Sequence, residues 1–172
     1  KRKRINSIFY NGSVFGDPDI DAIARLNSNI DVLGFKKKKF SQWGINPGSW
    51  TSFNNQNSGL IKDLVPAYFT PYTTGRNADI WASYMVCKVA SMHKKTIVFG
   101  KPTVRQIRNP HNLWRDLSDE FQNDYLTDQF VDLLKFLKVK KKENYLLSCK
   151  EICNKSIKLI QKNKKLNLKK ED

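Results

Sequence analysis

Residues 5 to 15 alternate loosely between apolar and polar positions, with Ile5, Ile8, Phe9, Val14 and Phe15 on the apolar side, and this period predicts a short strand or hairpin. The next segment, Gly16-Asp17-Pro18-Asp19-Ile20-Asp21-Ala22-Ile23, reads as a helix start. Asp17 is placed to cap it and Pro18 to occupy its first position, while Asp19 and Asp21 compensate the helix dipole. We therefore expect a helix over 18–27 with Ile20, Ile23 and Ala24 toward the core. Residues 30–41 predict a strand or hairpin, and 42–60 a long polar loop that carries Trp43, Trp50 and Phe53 among many turn formers. Long loops in small domains are often functional.

A second helix is expected from about Ala78, with Ile80, Tyr84 and Val89 on one face. Thr96 to Phe99 predicts a short strand closed by Gly100, Lys101 and Pro102, with Val104 to Ile107 extended beyond it. From Asn112 onward the period is helical. Leu113, Leu117 and Phe121 form one stripe, Leu126, Phe130, Leu133, Leu134 and Leu137 a second, and Leu146, Cys149, Cys153, Ile157 and Ile160 a third. The lysine-rich end from about Gln161 is expected to be disordered.

The chain divides into residues 1–137 as the main body and 138–172 as a lysine-rich helix and tail. With 172 residues, 40% of them hydrophobic, the chain can build one core. No apolar run is long enough to span a bilayer, and no signal-peptide pattern follows the basic start. The chain opens on Lys1, which leads us to expect a fragment or processed product. Cys87, Cys149 and Cys153 read as core thiols rather than metal ligands, because no partner spacing accompanies them.

The net charge of +15 is concentrated in three blocks: Lys1 to Arg4, Lys36 to Lys39, and the stretch from Lys138 to Asp172, where twelve lysines face four acids. The rest is nearly neutral. A basic face interleaved with aromatics, as nucleic-acid binders carry, is not visible, so no specific nucleic-acid partner is expected. The tail reads as a solvated lysine stretch, with contact to an anionic surface as the alternative.

Three segments carry candidate chemistry. Asp17, Asp19 and Asp21 place three carboxylates within five residues, suited either to a cation or sugar hydroxyls or to helix capping. Asp79 follows Arg76 and Asn77 at a helix start. It could take a proton from an acceptor hydroxyl, or pair with Arg76. Arg105 and Arg108 could meet phosphate oxygens, and His111 could ligate a metal; the same segment could be a salt-bridged connector. His93, beside Lys94 and Lys95, reads as a helix C-terminal cation. No glycine-rich phosphate loop, zinc spacing or nucleophile elbow is present.

Taken in order, Gly16-Asp17-Pro18-Asp19-Ile20-Asp21-Ala22-Ile23, Phe53-Asn54-Asn55-Gln56-Asn57, Arg76-Asn77-Ala78-Asp79-Ile80-Trp81 and Gln106-Ile107-Arg108-Asn109-Pro110-His111-Asn112-Leu113 resemble the STELLO-type glycosyltransferases over about residues 8–120. They are also distantly similar to the reversibly glycosylated polypeptides. The resemblance implies an α/β fold with a helical C-terminal part, forming part of a GT-A-like glycosyltransferase domain, a nucleotide-sugar donor (UDP-linked), a glycan acceptor and a divalent cation such as Mn2+. It assigns Asp79 as catalytic base, and Asp17, Asp19, Asp21, Trp50, Asn54, Gln56, Arg76, Trp81 and Arg108 to substrate. His111 would complete the metal or pyrophosphate shell. The acidic metal motif that such enzymes carry in their donor half has no counterpart in this sequence, so a donor-binding half is expected upstream. A non-catalytic scaffold or binding domain of the same fold is the first alternative, and a basic nucleic-acid-binding module, favoured only by net charge, is the second. The resemblance points to a Golgi setting, whereas the anchor-free, lysine-rich chain suits a bacterial cytoplasm.

Overall fold

Two long parallel strands form the spine of the molecule. In the computed structural model, which describes residues 6–34, 42–70 and 72–168, these are β1 (Ser7–Gly16) and β4 (Thr96–Gln106). Between them in the chain come α1 (Ala22–Asn27), β2 (Trp43–Ile45), β3 (Ser58–Leu60) and α2 (Ala78–Met92); α3 (Leu113–Phe136) and α4 (Tyr145–Leu168) follow. The sheet order is β2-β4-β1-β3, with both outer strands antiparallel to their neighbours. The fold is thus mixed α/β with a four-stranded mixed sheet. The Lys1–Arg4 and Lys36–Lys39 runs and the final four residues lie outside the described residues, as does most of the strand expected over 30–41. Of that strand, Val32 forms a bridge with Gly16.

Sequence period and structure agree on β1, but β4 is longer than expected. It passes through Gly100, Lys101 and Pro102 instead of ending there. The register explains how. Gly12 pairs with Gly100 and Val14 with Val104, so β4 carries extra residues at this point, and Pro102 falls where the ladder is already interrupted. The paired glycines are required by close approach. A Cβ on Gly12 would meet the Asn57 side chain at 2.3 Å, and one on Gly100 would meet the Tyr10 ring at 2.5 Å.

The helices correct several expectations. Asp21, not Asp17, caps the first helix: its carboxylate accepts from Ala24 N at 2.8 Å, and α1 begins at Ala22 rather than Pro18. Ala22 is buried while Ile23 is exposed. In α2 the buried face is Ala82, Ser83, Val86, Cys87, Val89 and Ala90, wider than the Ile80–Tyr84–Val89 stripe, because α2 is covered by several elements at once. Asn112 caps α3 as expected, accepting from Arg115 N. Phe121, however, is 75% exposed, because the inward face of that part of α3 is acidic. Helix α4 runs to Leu168, past the point where disorder was expected. Its buried face holds Ser148, Cys149 and Ile152, leaving Leu146, Cys153, Ile157 and Ile160 of the expected stripe exposed.

The core gathers Phe9, Leu64, Val86, Ile97, Leu134 and Ile152 into one cluster, so α4 packs on the same core as the sheet. His93 is a further correction. It ends α2 but is buried, bonded through Nε2 to Ser148 Oγ at 2.8 Å, and burial, with Lys141 and Lys95 nearby, lowers its pKa. It is therefore a neutral link between α2 and α4 rather than a cation.

The burial difference on α4 sets an expected outcome. Ile152→Ala should destabilise the protein by about 2–5 kcal/mol in urea unfolding, whereas Ile157→Ala should stay within about 1 kcal/mol.

Candidate functional site

The site is organised by one face of α3. Asp116, Glu120, Asp124 and Thr127 follow at helical spacing, and each engages the segment that leads into α2. Arg76 Nη1 donates to Asp116 at 2.8 Å, and its Nε and Nη2 donate to Glu120 at 3.2 and 3.0 Å. Asn77 Nδ2 donates to Asp124 at 3.0 Å, and the Trp81 indole N–H to Thr127 at 2.7 Å. Glu120 also accepts from Ala22 N at 2.6 Å, which ties α1 to the same helix. The chain turns into this grip at Gly75, whose φ of 60° with ψ of −143° is a glycine conformation.

Between α1, the Ser52–Asn54 loop, the start of α2 and α3 lies an open cleft of about 540 Å³. Five carboxylates line it, from Asp19, Asp21, Asp79, Glu120 and Asp124, together with one guanidinium, Arg76, and the amides of Asn54 and Asn77. Asp79 stands at the first turn of α2. Its Oδ2 accepts from Asn55 N at 3.1 Å and its Oδ1 from its neighbour Ile80 N at 2.9 Å. Burial raises its pKa above the ordinary carboxylate range, Asp19 adds to the rise, and the two backbone N–H bonds oppose it.

The residues expected at the site divide clearly. Asp19, Asp21, Asn54, Arg76 and Asp79 converge on the cleft. Asp17 does not line it and is held by Arg25. Gln56 sits one shell back, accepting from Asp19 N at 2.8 Å. Arg108 pairs with Asp19 and lines an adjoining hollow with Asp79. Trp50 packs against Tyr84 with ring centroids 6.5 Å apart, outside the cleft wall. Trp81 turns away to stack on Phe130, centroids 4.7 Å apart, and faces a separate apolar cavity. His111 bonds Asp116 at 3.2 Å and is connected to the cleft only through Arg76. Arg105 is exposed on β4 and lines none of these hollows. Arg76 is not the partner of Asp79; its donors go to α3.

Glu120, Asp124 and Tyr84 line the cleft but were not singled out from the sequence. The signal for the acids was present: Asp116, Glu120 and Asp124 recur every four residues. The Leu113–Leu117–Phe121 stripe at the same spacing overshadowed it.

His111 and Asp116 do not by themselves fit a resident cation. Among the described residues no group of three or more His, Cys, Asp or Glu side chains is placed to hold a metal ion, and Asp116 already neutralises Arg76. Among the same residues no helix is long and apolar enough to cross a membrane. No protein-family model matches the chain, and no curated protein matches it.

Two outcomes follow from this geometry. Arg76→Ala leaves Asp116 and Glu120, both largely shielded from solvent, facing each other without their cation, and should cost about 2–4 kcal/mol in urea unfolding. For Asp79 the raised pKa means that the folded state holds its proton more tightly than the unfolded chain. Its contribution to stability is complete below about pH 4 and is lost as pH rises through the folded pKa. Relative to Asp79→Asn, which does not titrate, the wild type should therefore lose stability as pH rises above about 4.

Proposed function

We propose that the chain forms the acceptor side of a GT-A-like glycosyltransferase and that Asp79 is its base. The observation that carries this reading is the convergence on one open cleft of Asp79, Asp19, Asp21 and Asn54, residues from three distant segments of the chain. A cleft walled by carboxylates and amides, with one fully engaged arginine, offers hydrogen-bond acceptors to a neutral polyhydroxyl ligand. Carboxylates bond sugar hydroxyls without having to neutralise a charge.

In the proposed step an acceptor hydroxyl oxygen forms a bond to the anomeric carbon of the donor sugar. The bond from that carbon to the nucleoside diphosphate breaks, and the hydroxyl proton passes to Asp79. A carboxyl whose pKa is raised by burial holds that proton better than an exposed one, which is the property required of a base in such a transfer. The donor pyrophosphate would be met by groups beyond those lining this cleft, because Arg76 and Arg108 are both paired with carboxylates. Mn2+ belongs to the same proposal as an attribute of the donor site.

That pairing also favours a second reading, a carbohydrate-binding domain of the same fold without transfer activity. The two readings separate in one assay. Supplied together with a donor-binding half, UDP-sugars and Mn2+, the chain should give sugar transfer that falls about 10²–10⁴-fold in Asp79→Asn and, in the wild type, rises with pH as Asp79 ionises. Saccharide binding without turnover would identify the binding domain, and a mutant rate equal to wild type would remove Asp79 from the mechanism.

A further inference from the structure

A second cavity, of about 300 Å³, lies on the other side of the start of α2 and is not used by the proposed transfer. Phe69, Trp81, Met85 and Phe130 build its walls, so it is almost wholly apolar. The Trp81 N–H is taken up by Thr127, and the ring turns its carbon surface to the cavity. Two thiols reach the same space: Cys149 and Cys153, one helical turn apart on α4. Cys149 is buried and Cys153 exposed, so the Cys153 sulfur meets both solvent and the cavity.

The two thiols are chemically unequal. The Cys149 S–H donates to the Pro66 carbonyl at 3.4 Å. The neighbouring Cys149 is the main cause that lowers the Cys153 thiol, with burial working against it. The same pairing, with burial, pushes Cys149 upward, so the proton of the pair stays on Cys149. Cys87, by contrast, is raised to about 11 by burial and bonds the Thr51 carbonyl, which makes it an internal control. A thiolate at neutral pH is the nucleophilic form, and this one stands at the mouth of a space that only hydrocarbon fills well.

We propose that Cys153 is an S-acylation site that takes an acyl group from a thioester and houses the acyl chain in the apolar cavity. Cys153 Sγ attacks the thioester carbonyl carbon. A carbon–sulfur bond forms to Cys153, the original carbon–sulfur bond breaks, and the departing thiolate takes a proton from water. Nothing is oxidised or reduced. The reading does not depend on the transferase assignment. A purely redox role for the pair would make no use of the cavity beside it.

The probe is the octanoyl thioester of N-acetylcysteamine, with the acetyl thioester as comparison, applied to the full chain and read by intact mass and peptide mapping. The expected product is one hydroxylamine-labile octanoyl group on Cys153. The octanoyl rate should exceed the acetyl rate by about tenfold or more, the worth of roughly two buried methylenes. Phe69 is 71% exposed, so Phe69→Asp should leave folding intact while lowering the octanoyl rate and sparing the acetyl rate. The rate should rise with pH through a midpoint below the ordinary thiol range in the wild type. In Cys149→Ala that midpoint should move up toward the ordinary thiol range, with Cys149→Ser restoring part of the shift. Absence of an adduct, equal rates for the two thioesters, acylation of Cys87 or Cys149 instead, or a Cys149–Cys153 disulfide as sole product would each overturn the proposal.

Discussion

The cleft depends on how α3 grips Arg76. One guanidinium satisfies two carboxylates from successive turns of a helix forty residues away, and in doing so fixes where α2 begins. Asn77 and Trp81 repeat the attachment on the next two turns of α3. Asp79 lies between these anchors, so its position is set by its neighbours rather than by bonds it makes to α3. This is a positioning arrangement in which the groups that hold the geometry differ from the group that would do the chemistry. Partly shielded ion pairs contribute modestly to stability when complete, but they specify one register strongly because a shift would leave a charge unpaired.

The same constraint explains where sequence period misleads. Apolar spacing assumes that the inward face of a helix is hydrophobic. Along the first half of α3 the face that engages Arg76 is Asp116 and Glu120, and Phe121 points outward. The rule is recovered in the second half, where Leu134 is fully buried and Leu137 nearly so. On α4 the error is different. Leu146, Cys153, Ile157 and Ile160 share a stripe, but the helix presents the adjacent strip with Ser148 and Ile152, because Ser148 must reach the buried His93. A polar contact between distant segments thus accompanies the buried face in both helices; on α3 the four-residue spacing of the acids marks it, and on α4 no local period does.

Much of the rest was legible. The β1 strand, the start of α2 and the Asn112 cap follow from spacing and turn chemistry alone. Of the candidate site, Asp19, Asp21, Asn54, Arg76 and Asp79 were recognised as chemistry-bearing and do meet at one cleft. Their partners were not legible. Asp79 has Arg76 three residues away, yet Arg76 bonds α3, and Asp79 turns to the Asn55 backbone. Asp17 and Asp21 both suit a helix cap; Asp21 takes it, while Asp17 is held by Arg25.

The charge of the cleft carries a consequence for the chemistry it can host. Its one arginine is already matched by two acids, so the remaining carboxylates leave the space net negative when ionised. Bringing a pyrophosphate into it would add like charge at short range, which costs more as water is excluded. A polyhydroxyl ligand meets no such penalty and can donate to every carboxylate. Burial raises the Asp79 pKa in this setting, and the carboxylate of Asp19 adds to the rise. A negative, amide-lined cleft therefore favours two properties together: recognition of neutral hydroxyls and a carboxylate that welcomes a proton. In a transferase, that assigns the neutral acceptor to this cleft and the anionic donor to a different surface.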